Sequence, residues 1–154
     1  MQTVAFSRHD HSACVASAVA AVAADCAAKG RRLTPVRARV LELLLQRHRA
    51  MGAYDILDVL RAEGLGSQPP VVYRALDFLT SHGYAHRIER LNAFVACVCP
   101  ERDHAPAFLI CTGCEAVAEA DQEAPLAGAA RATGFAIEAA VVEATGLCPN
   151  CAAS

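Results

Sequence analysis

Two Cys-x-x-Cys pairs, Cys111–Cys114 and Cys148–Cys151, constrain this 154-residue chain more than any other feature. Two residues between cysteines form a tight turn whose sulfurs can both reach one ion at about 2.3 Å, and two such turns complete a tetrahedral four-thiolate site. In a reducing compartment the pattern reads as zinc, and in an oxidising one as a disulfide framework. The 33 residues between the pairs exceed the usual zinc-ribbon spacing and leave room for a sheet and a helix. An ion here would tie the C-terminus back onto an earlier strand pair. The competing reading is a redox dithiol. That chemistry calls for an activated thiolate, commonly at a helix N-terminus, and both pairs are expected to follow strands, away from one.

The compartment decides between zinc and disulfides. The apolar run from Ala13 to Ala24 follows Arg8, Asp10 and His11, contains no leucine and continues into Asp25 and Lys29. That is not the build of a secretory signal, and 12 residues are too few to span a bilayer. A cytoplasmic protein without a membrane partner is expected.

Charge divides the chain. Residues 1–90 hold 12 Lys and Arg against 8 acids, whereas residues 91–154 hold 2 against 8. A basic half joined to an acidic half suggests two tasks, nucleic-acid binding being a candidate for the first.

Local signals give the elements. Ser12 can cap a helix running to about Lys29, with Gly30 as its stop and Val15, Val19, Val22 and Cys26 on one face. Cys14 and Cys26 read as small core residues. Thr34-Pro35 caps a second helix ending near His48, with Val36, Val40, Leu41 and Leu44 inward. A third covers about Ala53 to Glu63, with Ile56, Leu57 and Leu60 inward. A fourth starts at Pro69-Pro70 and ends by Gly83. After Gly83 the period changes: Tyr84–Arg90 and Asn92–Val98 read as strands around a turn at Leu91-Asn92. A hairpin directly after a helix-turn-helix is a wing. Beyond the polar Pro100–Pro106 stretch come strands Ala107–Cys111 and Glu115–Ala120, a helix from Gln122 to Thr133, and a strand from Phe135 to Ala144.

The expected fold class is therefore α+β, with an N-terminal winged helix-turn-helix domain plus a small C-terminal α/β dimerisation domain. The boundaries are a flexible arm at 1–11, the winged helix at 12–98, a hinge at 99–106 and the second domain at 107–154. The second sheet is too small to bury both faces alone, so a partner subunit is expected to cover part of it.

Two further groups carry chemistry. His86, Cys97, His104 and Glu119 bracket the hinge, and an ion held from both sides would fix the angle between the domains. One thiolate, two imidazoles and one carboxylate suit zinc better than a hard, oxygen-seeking ion. Cys99 is an alternative to Cys97, because residues two apart on a strand share a face. On the fourth helix, Val72, Ala75, Leu76 and Leu79 face inward and Tyr73, Arg74, Asp77 and Ser81 outward. An exposed Tyr-Arg pair can meet a phosphate or thymine methyl and a guanine edge. Arg31, Arg32, Arg37 and Arg39 are candidate phosphate contacts.

The segments RRLTPVRARVLELL, AYDILDVLRAEG, PPVVYRALDFLTSHGYAHRIERLNAFVAC, FLICTGCEAVAE and GLCPNC together resemble the ferric uptake regulator family, over about residues 12–151. The single histidine of PERDHAP is unlike the His-rich run of iron-responsive members, and a cysteine at 97 is unlike the nitrogen- and oxygen-rich site of peroxide sensors. YRALDFL, GYAHRIE and Cys97 are similar to the zinc uptake regulator branch. The resemblance implies a homodimer that binds a palindromic, AT-rich double-stranded DNA operator in a metal-dependent way. It implies no enzymatic activity and no small-molecule substrate. By motif, Cys111, Cys114, Cys148 and Cys151 would hold structural zinc, and His86, Cys97, His104 and Glu119 regulatory zinc, two ions per subunit. Tyr54, Tyr73 and Arg74 would contact DNA. The alternatives are iron, manganese or peroxide as effector on the same architecture, a Cys-x-x-Cys redox protein, and a zinc-stapled adaptor.

Overall fold

A computed structural model describes residues 11–47, 49–97, 100, 107–120 and 126–154. They form two compact units that part between Cys97 and Val98.

The first unit has four helices and a hairpin: α1 (His11–Ala28), α2 (Pro35–Leu45), α3 (Ala53–Ala62), α4 (Pro69–Ser81), β1 (Ala85–Ile88) and β2 (Ala93–Ala96). Helix α1 already includes His11, so Ser12 lies in its first turn rather than at its cap. Its C-terminal half is anchored by buried Val22 and Cys26, but Cys14 is exposed. The expectation that Cys14 is a core residue is therefore overturned, because the apolar seam of α1 reaches the core only from about Val19 onward. At α2 the Thr34 hydroxyl accepts the Arg37 N–H at 3.4 Å with Pro35 in the first turn, as the sequence predicts. The helix stops at Leu45, short of His48, which lies outside the described residues.

Helices α2, α3 and α4 close a core on Val40, Leu41, Leu44, Ile56, Leu57, Leu60, Val72, Leu76 and Leu79, each exposed by 2% or less. Full burial of each such side chain is worth about 1.5–3 kcal/mol. Arg39 joins α2 to the end of α3 by pairing with both Glu63 oxygens, at 2.7 and 2.9 Å, while also reaching Glu42 at 2.8 Å.

The wing is an antiparallel pair registering Ala85 with Ala96 and Ile88 with Ala93. A single 3-10 turn at Glu89–Leu91 joins the strands, and Asn92 takes the left-handed conformation that reverses the chain. The segment before α3 adds to the wing, because Met51 and Phe94 exchange backbone bonds of 2.9 and 2.8 Å.

The second unit holds β3 (Ala107–Cys111), β4 (Val117–Ala120), α5 (Ala127–Thr133), β5 (Val142–Gly146) and α6 (Pro149–Ala152). The order β-β-α-β agrees with the sequence reading, in a sheet ordered β4-β3-β5. Strand β4 starts later than expected, because Glu115 has φ 62° and belongs to the preceding turn. Helix α5 is described from Ala127, since residues 121–125 lie outside the described set. The last strand also differs. It spans Val142–Gly146 rather than Phe135–Ala144 and runs parallel to β3. Ala107, the first residue of β3, already pairs with Val142. Residues 135–141 thus have no described strand to ladder against, and their alternating side chains stand in solvent. Among the described residues, no helix is long and apolar enough to cross a membrane.

Candidate metal centres and nucleic-acid interface

The four-cysteine cluster is built by the ends of two neighbouring strands. Cys111 closes β3, and the chain turns at once: the Cys111 N–H reaches the Ala116 carbonyl at 2.9 Å and the Glu115 N–H reaches the Cys111 carbonyl at 3.0 Å. Thr112 fastens this turn to the end of β5, donating from its N–H at 2.8 Å and its hydroxyl at 3.1 Å to the Gly146 carbonyl. The two residues after Gly146 then deliver Cys148 to the same spot. Cys148 opens α6, with Pro149 at the first helical position, and Cys151 follows one turn later. The expectation that both pairs lie away from a helix start is corrected here, because α6 gave no sequence signal longer than a single Pro.

One sulfur from each of Cys111, Cys114, Cys148 and Cys151 lies within 4.8 Å of the others. A tetrahedron with metal–sulfur bonds of about 2.3 Å has edges of about 3.8 Å, and the Cys114 and Cys148 sulfurs are 3.8 Å apart. Cys111 and Cys148 are buried and the other two half-buried. The Cys148 N–H points at the Cys111 sulfur from 3.3 Å. That bond, and then the Cys114 backbone, pull the Cys111 thiol down to about 6. Cys151 is pushed the other way, to about 12, by the sulfurs of Cys148, Cys114 and Cys111. Four thiolates crowded together repel, and a dication among them removes the conflict. The donor set and spacing fit zinc.

Gly113 was not singled out in the sequence, although it lies inside the first pair. A Cβ there would fall 3.0 Å from the Cys151 sulfur and 3.2 Å from its Cβ. The glycine is what lets the second cysteine turn approach the first. Its position between two metal-type cysteines was the available signal.

His86 comes from β1 and Cys97 directly follows β2, so the antiparallel wing brings them together at its base. Their ligand atoms lie within 4.8 Å of each other, with Cys97 buried and His86 half-buried. Glu119 sits on β4 of the second unit, opposite Phe108 and partly buried. His104 and Cys99 lie outside the described residues.

Helix α4 turns Val72, Ala75, Leu76 and Leu79 into the core and leaves Tyr73 and Arg74 exposed, Tyr73 by 44%. A core role for Tyr73 is thereby excluded. Tyr54 opens α3 with 65% exposure. Arg74 has no ion pair among the described residues. The arginines near α2 are differently disposed. Arg39 is held by Glu63 and Glu42. Arg37 lies 3.9 Å over the Phe78 ring and bonds the Arg32 carbonyl, while Arg31 bonds the Tyr84 hydroxyl. Arg32 is exposed. Of the four, Arg32 retains the clearest access to a phosphate.

Over 130 residues, 82% of this chain and 76% of the other, the sequence is 42% identical to the zinc uptake regulation protein of Escherichia coli (strain K12). It superposes with TM-score 0.85 and 38% identity on a zinc uptake regulator complexed with zinc and DNA, covering 90% of this chain and 95% of that one. Holo XcZur gives TM-score 0.82 at 42% identity, over 90% of this chain and 99% of that one. No protein-family model matches the chain.

Proposed function

Because the chain belongs to the zinc uptake regulators of the ferric uptake regulator family, we infer that it is a zinc-responsive, DNA-binding transcriptional repressor of zinc uptake genes and not an enzyme. The observation that carries this reading lies within the first unit. Exposed Tyr54, Tyr73 and Arg74 stand on the two helices of a helix-turn-helix, and the wing that follows carries His86 and Cys97 side by side at its base.

The functional domains are the winged helix over 12–98, after an arm at 1–11, and the dimerisation domain over 107–154, joined by a hinge at 99–106. The cofactor is zinc, in two ions per subunit. One is permanent, held by Cys111, Cys114, Cys148 and Cys151, and fixes the ends of β3 and β5. The other is regulatory: His86 and Cys97 would supply two ligands, and His104 of the hinge and Glu119 beyond it would complete the set. Two subunits pair through the apolar side chains that the second unit exposes, Leu126, Phe135, Ile137 and Val141 among them. The protein acts in the cytoplasm. His86, Cys97, His104 and Glu119 would hold the regulatory ion, and with it bound the separation of the two recognition helices would be confined to the one turn of DNA, about 34 Å, that a palindromic, AT-rich operator requires. Without it, affinity falls by the fraction of competent arrangements. Arg74 reads a guanine edge, and Tyr54 and Tyr73 contact neighbouring bases or phosphates.

The test is DNA binding to a promoter library at fixed salt across buffered free zinc, for wild type and Cys97→Ser. Tight, selective binding only with zinc, weakened by the substitution while the four-cysteine ion is retained, supports the reading. Selective binding that follows ferrous iron or manganese instead assigns another effector. No selective binding under any metal overturns the repressor.

A further inference from the structure

Tyr84 is the residue between α4 and the wing, and it bonds in three directions. Gly83, at φ 76°, reverses the chain after α4 in the left-handed conformation that glycine favours. The Gly83 N–H meets the Thr80 carbonyl at 3.2 Å and the Tyr84 N–H meets the Leu79 carbonyl at 2.8 Å, closing the helix end in the paired pattern of a Schellman cap. The Tyr84 carbonyl accepts the Cys97 N–H at 2.9 Å. The side chain is 2% exposed and runs back to the end of α1. There its hydroxyl donates to the Asp25 carboxylate and accepts from Arg31 at 3.2 Å and from the Cys26 thiol at 3.5 Å. Lys29 pairs with the same carboxylate at 2.8 Å.

We propose that Tyr84 is the positioning residue that couples the metal state of His86 and Cys97 to recognition helix α4, with α1 as its anchor. The proposal rests on the reading of His86 and Cys97 as ligands of the regulatory ion. The physical reason is the shortness of the path. His86 lies two residues beyond Tyr84, and Cys97 is bonded to the Tyr84 backbone. An ion that pulls this pair together therefore acts on the one residue whose N–H also caps α4. The pull is transmitted to the helix only if that residue is held from a third side. The buried hydroxyl, fixed by a carboxylate and a guanidinium on another element, is that hold. Without it the wing base can adjust to the ion locally, and α4 does not feel the change.

Tyr84→Phe keeps the ring in the core and removes the hydroxyl; Asp25→Ala removes the acceptor without touching the wing. The measurements, made on the full-length protein, are the ratio of DNA affinity with and without buffered zinc, the thiolate-to-cobalt absorption at the regulatory site, and amide exchange at Cys97. Cys97→Ser serves as the reference. Each of Tyr84→Phe and Asp25→Ala is expected to reduce the zinc-dependent gain in DNA affinity about tenfold, as loss of a hydrogen bond to a charged group would. The double variant should be no worse than Tyr84→Phe alone, since Asp25 acts on the wing through the Tyr84 hydroxyl. The cobalt band should persist and Cys97 amide protection should fall. A purely structural tyrosine would lower thermal stability and leave the zinc ratio at its wild-type value, which overturns the assignment. If Cys97→Ser keeps the full zinc response, the regulatory site itself is wrong, and Tyr84 loses its role with it. If Cys97→Ser abolishes the response while Tyr84→Phe responds normally, only the Tyr84 assignment fails.

Discussion

Gly113 and Gly128 show how one substitution changes sign with its surroundings. Neither has the positive φ that penalises a side chain. At Gly113 a methyl group meets the Cys151 sulfur, so Gly113→Ala should spread the four-sulfur cluster. We expect zinc to be stripped by a chelator roughly tenfold faster, each tenfold corresponding to about 1.4 kcal/mol. At Gly128, inside α5, nothing stands within 4 Å. Gly128→Ala should be neutral or stabilising by about 0.5–1 kcal/mol, through helix propensity alone. Equal zinc release from the two variants would disprove the space argument. The carboxylates that hold the first unit carry a pH signature. Lys29, then Tyr84, lower Asp25, and Arg39 lowers Glu63. A carboxylate with a depressed folded value stabilises the fold above its unfolded value, 3.8 for Asp and 4.5 for Glu. That contribution is lost as pH falls through the lower folded value. The melting temperature should therefore fall below about pH 5, and fall less steeply in an Asp25→Asn, Glu63→Gln double variant. Parallel curves for the two proteins would show that other groups dominate.

The helices of the first unit obey local rules, and these allow quantitative tests. Thr34→Ala removes the hydroxyl that accepts the Arg37 N–H and should cost about 1 kcal/mol in urea denaturation, while Thr34→Ser should cost little. Leu76, 1% exposed on the inner face of α4, is a packing residue, and Leu76→Ala should cost about 2–5 kcal/mol. Arg74→Ala, on the outer face, should leave stability within about 0.5 kcal/mol of wild type. It should also relax base selectivity in DNA binding, so a stability loss comparable to Leu76→Ala would place Arg74 in the wrong role. The elements themselves were largely legible in advance. Thr34-Pro35, Pro69-Pro70 and Gly83 mark ends by chemistry that acts within one turn, and the wing follows from its change of period. The last strand was not legible. Phe135 to Val141 alternates as a strand should, yet a strand also needs a neighbour, and the register of β3 with β5 begins at Val142.

On the proposed function, the whole molecule depends on its metal and on a second copy. Chelation of the four-cysteine ion should unfold the second unit, whose two cysteine turns converge on that cluster, and should leave the helical signal of the first unit largely intact. Simultaneous loss of both in circular dichroism would mean that the units do not fold separately. Phe135 is 69% and Val141 49% exposed, a costly arrangement for an isolated chain. A Phe135→Glu, Val141→Glu variant should sediment as a monomer and lose affinity for a palindromic operator while keeping both metals. A variant that remains dimeric would move the pairing surface elsewhere.

Sequence alone determined what operates over a few residues or by a fixed spacing. That includes the cap of α2, the stops of α3 and α4, the hairpin of the wing, the inward face of α4, and the two cysteine turns able to share an ion. Tertiary structure decided what depends on partners far apart in the chain. Nothing near Tyr84 announces that its hydroxyl finds Asp25 and Arg31, 59 and 53 residues away. Nothing near Arg37 or Arg39 indicates that Phe78 and Glu63 engage them, 41 and 24 residues away. Gly113 looks like an ordinary turn glycine until Cys151 is packed against it. Local rules choose elements because backbone torsions and caps act within a turn. Packing chooses partners, because a buried polar group must find its complement wherever the fold brings one.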